Sequence, residues 1–251
     1  MANKRKDKDL IFGVRAVIEA IKSGKDFDKI QIQRGNQSAL VKELLSVANM
    51  HQVPVQFVPQ EKFRIYQGKN HQGVIAVLSP ITYQKLEHII PTIYEEGENP
   101  FILILDEISD VRNFGAIVRT AECSGVHAIV IPDKGSAAIT GDAIKTSAGA
   151  LFKVPICRVR SLLQTIDFLK TSGLQIIAAS EKTDTNYTSV DFNKPLALVM
   201  GSEEKGVSPK ILKIADAIAK IPILGSIESL NVSVAAGVLL YEAVRQKTNT
   251  E

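Results

Sequence analysis

The sequence predicts an α/β protein, built as a mostly parallel sheet with helices on both faces and preceded by a smaller α/β unit. Three observations carry this. After Pro100, apolar runs of strand length alternate with helical patterns, strand then helix, almost to the C-terminus. The first of those runs, Phe101-Ile102-Leu103-Ile104-Leu105, is continuously apolar, as in a strand covered on both faces. Before it, Glu95-Glu96-Gly97-Glu98-Asn99-Pro100 is polar and turn-rich, which puts a domain boundary in residues 81–99.

The N-terminal unit reads as follows. Ile11, Val14, Val17, Ile18 and Ile21 have helical spacing, and Ser23-Gly24 ends the run. Lys29–Gln33 alternates like a strand, and Ser38–Met50 is again helical. Val53–Val58 and Gly73–Leu78 read as two further strands. Residues 81–94 are compatible with a short helix inside the boundary segment. In the second unit the predicted order is strand 101–105, helix from about Asn113 to Ser124, strand Ala128–Ile131 and helix Thr140–Gly149. A short strand around Val154–Ile156, helix Leu162–Thr171 and strands Gln175–Ala179 and Leu196–Met200 follow. Helix Pro209–Ala215, strand Ala217–Ile221 and helix Ser229–Gln246 close the chain. The expected organisation is a basic tail 1–8, a small domain 9–80, a linker 81–99 and a large domain 100–247.

Composition excludes several classes. The chain has 251 residues, 45% hydrophobic and 23% charged, an ordinary globular balance. It lacks an apolar run long enough for a membrane helix, and the charged start MANKRKDKDL has no apolar signal core, so a cytoplasmic location is expected. Cys123 and Cys157 are expected as free thiols in a reducing compartment. The four histidines, His51, His71, His88 and His127, have no ligand spacing, so no metal is expected. The net charge of +3 is uneven. Residues 1–80 hold 13 Lys and Arg against 7 Asp and Glu, a net of +6, and residues 81–251 hold 17 against 20, a net of −3. The basic third suits a polyanion, or is a solubilising tail, since Lys4, Arg5, Lys6 and Lys8 supply four of its charges.

In parallel sheets ligands sit beyond the carboxyl ends of strands, which selects the loops after Leu105, Met200 and Ile221. In the first, Asn113 is placed to cap a helix, and Arg119 six residues on can reach back toward its start. That pairing suits a phosphate, or is a capped helix with a surface ion pair. In the second, Gly201-Ser202-Glu203-Glu204-Lys205-Gly206 has two glycines five apart around a carboxylate. This suits a backbone pressed against a ligand, or an ordinary turn into a helix begun by Ser208-Pro209. Neither a dinucleotide fingerprint nor a P-loop is present. In the third, Ser229, Asn231 and Ser233 enter an apolar helix as caps, or as polar groups within the first turn held there for a ligand or partner. Cys123 lies mid-helix without an activating base and is not expected to be a nucleophile.

In this order the loops resemble the motifs of the SpoU/TrmH (SPOUT) family of RNA 2′-O-ribose methyltransferases. Asn113-Phe114-Gly115-Ala116-Ile117-Val118-Arg119 is similar to the first motif and Gly201–Ser208 to the second. Ile221-Pro222-Ile223 with Ser229-Leu230-Asn231-Val232-Ser233 is similar to the third. Phe12–Val17 and Asn70–Ala76 resemble the substrate-binding domain of the branch that modifies guanosine in 23S ribosomal RNA, and the likeness runs over about residues 9–246.

The resemblance implies a deep trefoil α/β knot that forms the pocket for S-adenosylmethionine, a homodimer joined through the knot, and ribosomal RNA as partner. It implies that Met200, Gly201, Ile221, Ile223, Leu230 and Ser233 surround the methyl donor, and that Asn113, Arg119, Glu203, Ser229 and Asn231 surround the ribose. Arg15, Lys69, His71 and Gln72 would contact RNA, or simply fill the turn before a strand. A guanidinium does not ordinarily deprotonate, so Arg119 is expected to clamp phosphate and stabilise developing alkoxide rather than act as base. The neighbouring alternatives are tRNA or a resistance-type adenosine methylase, and a catalytically silent RNA-binding protein of the same fold.

Overall fold

The computed structural model describes residues 9–248, so the expected basic tail 1–8 lies outside the described residues. The chain divides into two compact units between Thr82 and Tyr83.

The first unit holds β1 (Leu10–Phe12), α1 (Val14–Lys22), β2 (Phe27–Gln33), α2 (Ala39–Met50), β3 (Val55–Val58) and β4 (Val74–Leu78). The sheet order is β1-β4-β2-β3, with β2 and β3 parallel and both neighbours of β4 antiparallel to it. Val17, Ile18 and Ile21 of α1 and Val41 and Leu44 of α2 pack with Ile30, Ile32, Val74 and Ala76. The alternate residues Ile75 and Val77 join Leu10, Val58 and Phe63 in a second cluster. β4 is therefore buried on both faces, which is why it reads as an unbroken apolar run. Phe63 is supplied by a 3-10 segment, Gln60–Tyr66, that the sequence pattern did not announce, and β1 is too short for periodicity to register.

The second unit starts with α3 (Leu86–Glu95), inside the stretch expected as a linker. Leu86, Ile90 and Ile93 of α3 fall at helical spacing and pack under Ile102, Ile104, Ile176 and Ala197, so burial organises the segment despite Pro91. There follow β5 (Phe101–Asp106), α4 (Val111–Cys123), β6 (Ala128–Pro132), α5 (Gly141–Thr146), β7 (Ile156–Val159) and α6 (Leu162–Thr171). Then come β8 (Gln175–Ala179), β9 (Leu196–Gly201), α7 (Pro209–Ile214), β10 (Ala217–Ala219) and α8 (Val232–Thr248). All six strands run parallel in the order β10-β8-β9-β5-β6-β7. The winding reverses between β5 and β9, so a crevice opens at their carboxyl ends, beyond Asp106 and Gly201. Among the described residues no helix is long and apolar enough to cross a membrane, and no cluster of three metal-ligating side chains occurs.

Candidate active site

The helix after β5 is not capped by Asn113. Asp110 is the cap, its Oδ1 accepting from Arg112 N at 2.9 Å and Asn113 N at 2.8 Å. An aspartate immediately ahead of the helix satisfies the amides two and three residues on and adds a favourable charge at the positive end of the helix. Asn113 is thereby displaced into the first turn, half-buried, with its side-chain amide available for other partners. Gly115 lets α4 press on α5, since a Cβ there would lie 2.8 Å from Thr146 Cβ and 2.9 Å from Ala143 O.

The loop after β9 folds back on itself. Gly206 N donates to Ser202 O at 2.9 Å, and a Cβ on Gly201 would lie 2.0 Å from both Gly206 C and Val207 N. Only glycine leaves room for that backbone crossing. Asp106, buried at the end of β5, accepts from Ser208 N at 2.8 Å and anchors the far end of the loop. Between the anchors, Glu203 projects from the turn.

The last helix starts at Val232, later than its apolar pattern suggests. Asn231 precedes it as cap, with Oδ1 accepting from Ser233 N at 3.0 Å. The Asn231 Nδ2 donates to Glu203 Oε1 at 2.6 Å and to Asn113 Oδ1 at 3.0 Å. Asn113 Nδ2 in turn donates to Glu203 Oε1 at 3.1 Å, and Val232 N lies 3.4 Å from the same oxygen. One residue from each of the three loops thus meets at one carboxylate. Asn231 is the cap, as one reading of the third loop expected, and its amide is also tied to Glu203. Ser233 Oγ donates to Asn231 Oδ1 and helps fix that side chain.

Two clefts meet at this cluster. One, of about 340 Å³, is lined by Met200, Gly201, Ile221, Ile223, Ser229 and Leu230. The other, of about 480 Å³, is lined by Glu107, Ser109, Asp110 and Asn113. Ser202, Glu203, Glu204, Lys205 and Val232 belong to both and form the partition. Ser233 is absent from the lining of both. Arg119 stands exposed on α4, six residues beyond Asn113, and no hydrogen bond joins it to Asn113, Glu203 or Asn231.

Two features escaped sequence reasoning. The turn Ser180–Lys182 lines the 340 Å³ cleft, and its signal was available, because it too follows the carboxyl end of a strand. Glu107 has a left-handed backbone (φ 58°), and its Oε2 holds Lys205 Nζ at 3.0 Å. The hydrogen bond to Glu107 raises the Lys205 ammonium above the ordinary lysine value. No composition signal marks such an outlier.

In the first unit, Arg15, Lys69, His71 and Gln72 gather near the start of α1. Gln72 (φ 50°) accepts from Val14 N through Oε1 at 3.3 Å, and its backbone carbonyl accepts from Asn36 Nδ2 at 3.1 Å. His71 Nδ1 accepts from Gly73 N at 3.0 Å, and its ring lies 5.0 Å from that of Phe63. Lys69 Nζ stands 5.9 Å from the centre of the Phe12 ring, which is 5.5 Å from Tyr66. Gln72 has a definite architectural task there, while Arg15 is exposed in the first turn of α1.

Comparison with known proteins matches both units. Residues 100–241 match the SpoU rRNA methylase family and residues 10–84 the RNA 2′-O ribose methyltransferase substrate-binding family. A Bacillus subtilis (strain 168) protein named as a TrmH family tRNA/rRNA methyltransferase, YacO, is 35% identical over 239 residues, covering 95% of this chain and 96% of that one. The crystal structure of the SpoU methyltransferase AviRb from Streptomyces viridochromogenes, in complex with AdoMet, superposes with a TM-score of 0.62 at 25% identity, over 99% of this chain and 95% of that one. The A. aeolicus TrmH/SpoU tRNA-modifying enzyme gives 0.55 at 35% identity, over 66% of this chain and 85% of that one. Three motif loops converging on one carboxylate, in a fold shared along nearly the whole length, lead to one assignment: the chain belongs to the SpoU/TrmH family of RNA methyltransferases.

Proposed function

We propose that this protein transfers a methyl group from S-adenosylmethionine to the ribose 2′-hydroxyl of a guanosine in 23S ribosomal RNA. The observation that carries the reading is the meeting of two clefts at the Asn113–Glu203–Asn231 cluster. Transfer between two bound molecules needs adjoining sites with the reacting atoms at their junction. The 340 Å³ cleft fits the donor chemically: Met200, Ile221, Ile223 and Leu230 give apolar surface for an adenine, and the glycines expose backbone to the ribose and methionine parts. The AviRb structure, similar in fold, is a complex with AdoMet. When bound there, the donor supplies a methyl group on a cationic sulfonium.

The protein's own task is then placement. Asn113, from the 480 Å³ cleft, and Asn231 present amide groups where a ribose hydroxyl must enter, and Glu203 fixes both amides by accepting from each. Ser229 lines the donor side of the junction. Arg119 provides the fork that clamps a neighbouring phosphate and steadies negative charge forming on oxygen. The basic first unit, with Arg15, Lys69, His71 and Gln72, holds RNA, in keeping with its substrate-binding family. Ser233 acts on the donor side only through Asn231.

In this reading the chain is threaded as a knot through the three loops and works as a cytoplasmic homodimer. Val234 and Tyr241, 53% and 51% exposed, lie seven residues apart on α8 and supply an apolar seam for a second copy. A tRNA acceptor is the second reading, favoured by the 35% identity to the A. aeolicus enzyme. Purified protein given isotopically labelled donor and, separately, 23S rRNA and tRNA from cells lacking the gene tests both. Label in 2′-O-methylguanosine of 23S rRNA is the expected result. Label confined to tRNA selects the second reading, and transfer to neither rejects both.

A further inference from the structure

We infer that the Ser180–Lys182 turn reads the amino-acid end of the methyl donor, with Glu181 accepting from its α-ammonium and Lys182 facing its α-carboxylate. The inference rests on the donor reading above.

The argument begins with the sheet. β8 lies between β10 and β9, and Ala178 pairs with Val199, so the turn after β8 starts level with Gly201. Ser180 N donates to Ala219 O at 3.1 Å and Ser180 Oγ accepts from Lys182 N at 3.2 Å, which ties the turn to β10 and fixes its shape. Glu181 and Lys182 both line the donor cleft. The reacting end of the cleft is at Glu203, beyond β9. Adjacent strands are about 4.8 Å apart. Three single bonds of about 1.5 Å separate a sulfonium from the carbon bearing the ammonium and carboxylate, a reach of the same order. A donor with its sulfur beside the Glu203 partition therefore sets its amino-acid end over the β8 turn.

The available charges agree. Glu203 Oε1 already accepts from three donors, and Lys205 is held by Glu107. Among the described residues, neither Glu181 nor Lys182 has an ion-pair partner within the protein. They are adjacent, opposite in sign and carried by a strand end. That is the complement of a zwitterion, and it gives the cleft a means of distinguishing an intact donor from an adenosine thioether lacking the amino acid.

Calorimetry on the full chain tests this with two probes that share the adenosine: S-adenosylhomocysteine, which has the amino-acid end, and 5′-methylthioadenosine, which does not. Glu181→Gln is expected to weaken S-adenosylhomocysteine about tenfold, roughly 1.4 kcal/mol, while methylthioadenosine changes less than about twofold. Lys182→Met is expected to act in the same direction, and thermal melts of both variants should match wild type. Equal affinity of wild type and Glu181→Gln for S-adenosylhomocysteine overturns the inference alone. An equal loss for both probes also overturns it, since the turn would then shape the cleft without reading the amino acid. Failure of wild type to bind S-adenosylhomocysteine overturns the donor reading itself.

Discussion

Asn231 Nδ2 lies 2.6 Å from Glu203 Oε1, a contact that ties the cap of the last helix to the loop after β9 across 28 residues of chain. The same oxygen receives Asn113 from 90 residues away. A single carboxylate therefore receives both amides, which also bond each other through Asn231 Nδ2 and Asn113 Oδ1 at 3.0 Å. Side chains placed this way are preorganised, and the positional gain from preorganisation is the larger part of what a transfer reaction needs from a protein.

Asn113→Ala separates chemistry from donor binding, because Asn113 lines only the 480 Å³ cleft. Single-turnover methylation should fall roughly 100-fold, the scale of losing one positioned hydrogen-bonding group. Affinity for S-adenosylhomocysteine by calorimetry should remain within about threefold.

Gly201→Ala has no room. The new methyl would lie 2.0 Å from backbone atoms of Gly206 and Val207, which are not free to rotate away. Donor affinity should drop at least about tenfold, with a loss of roughly 3 kcal/mol in denaturant unfolding. A variant of wild-type stability that binds donor normally would contradict the loop crossing described here.

Arg119→Lys keeps a positive charge and loses the two-pronged donor. If Arg119 clamps a phosphate beside the acceptor, single-turnover transfer should fall at least about tenfold with donor affinity unchanged. Near wild-type transfer would remove Arg119 from the proposed machinery, consistent with its exposed place on α4.

The stability of the second unit should carry a carboxylate signature at Glu242. This buried side chain accepts from Arg245 Nη2 at 2.7 Å and Nε at 2.8 Å and from Gln246 Nε2 at 2.8 Å, while Gln246 also bonds Val190 O and Phe192 N. The hydrogen bonds from Arg245 hold its carboxyl below the ordinary glutamate value of 4.5, against a smaller opposing effect of burial. A depressed folded value stabilises above 4.5, and that contribution disappears as pH falls through the folded value. Glu242→Gln should therefore cost about 2 kcal/mol in urea unfolding at neutral pH. The gap to wild type should close in acid, and a gap that widened in acid would give the wrong sign.

The parts of the fold that were legible in the sequence are those where one periodicity dominates. Helix Leu162–Thr171 and strand Gln175–Ala179 end where the apolar pattern ends. Boundaries set by side-chain hydrogen bonds were less visible. Asp110 and Asn113 are both good caps, and only the backbone path shows that Asp110 takes the amides and Asn113 is left for Glu203. The start of α8 moves to Val232 for the same reason. In segment 81–99 a short helix is compatible with the pattern, but a local reading cannot show that Leu86, Ile90 and Ile93 pack with residues distant in sequence. At the site, the motif loops named Asn113, Glu203 and Asn231, which meet, and Arg119, which is exposed on α4 without a hydrogen bond to them. The Ser180–Lys182 turn has no motif, and only the strand order brings it to the cleft.

Alkaline hydrolysis of the methylated RNA tests ribose transfer most directly. A methyl group on a 2′-oxygen removes the nucleophile that alkali uses to cleave the next phosphodiester. After incubation with labelled donor, complete alkaline digestion should leave the label in an alkali-resistant dinucleotide. Label found only in mononucleotides would place the methyl group on a base and contradict the role assigned to the Asn113–Glu203–Asn231 cluster.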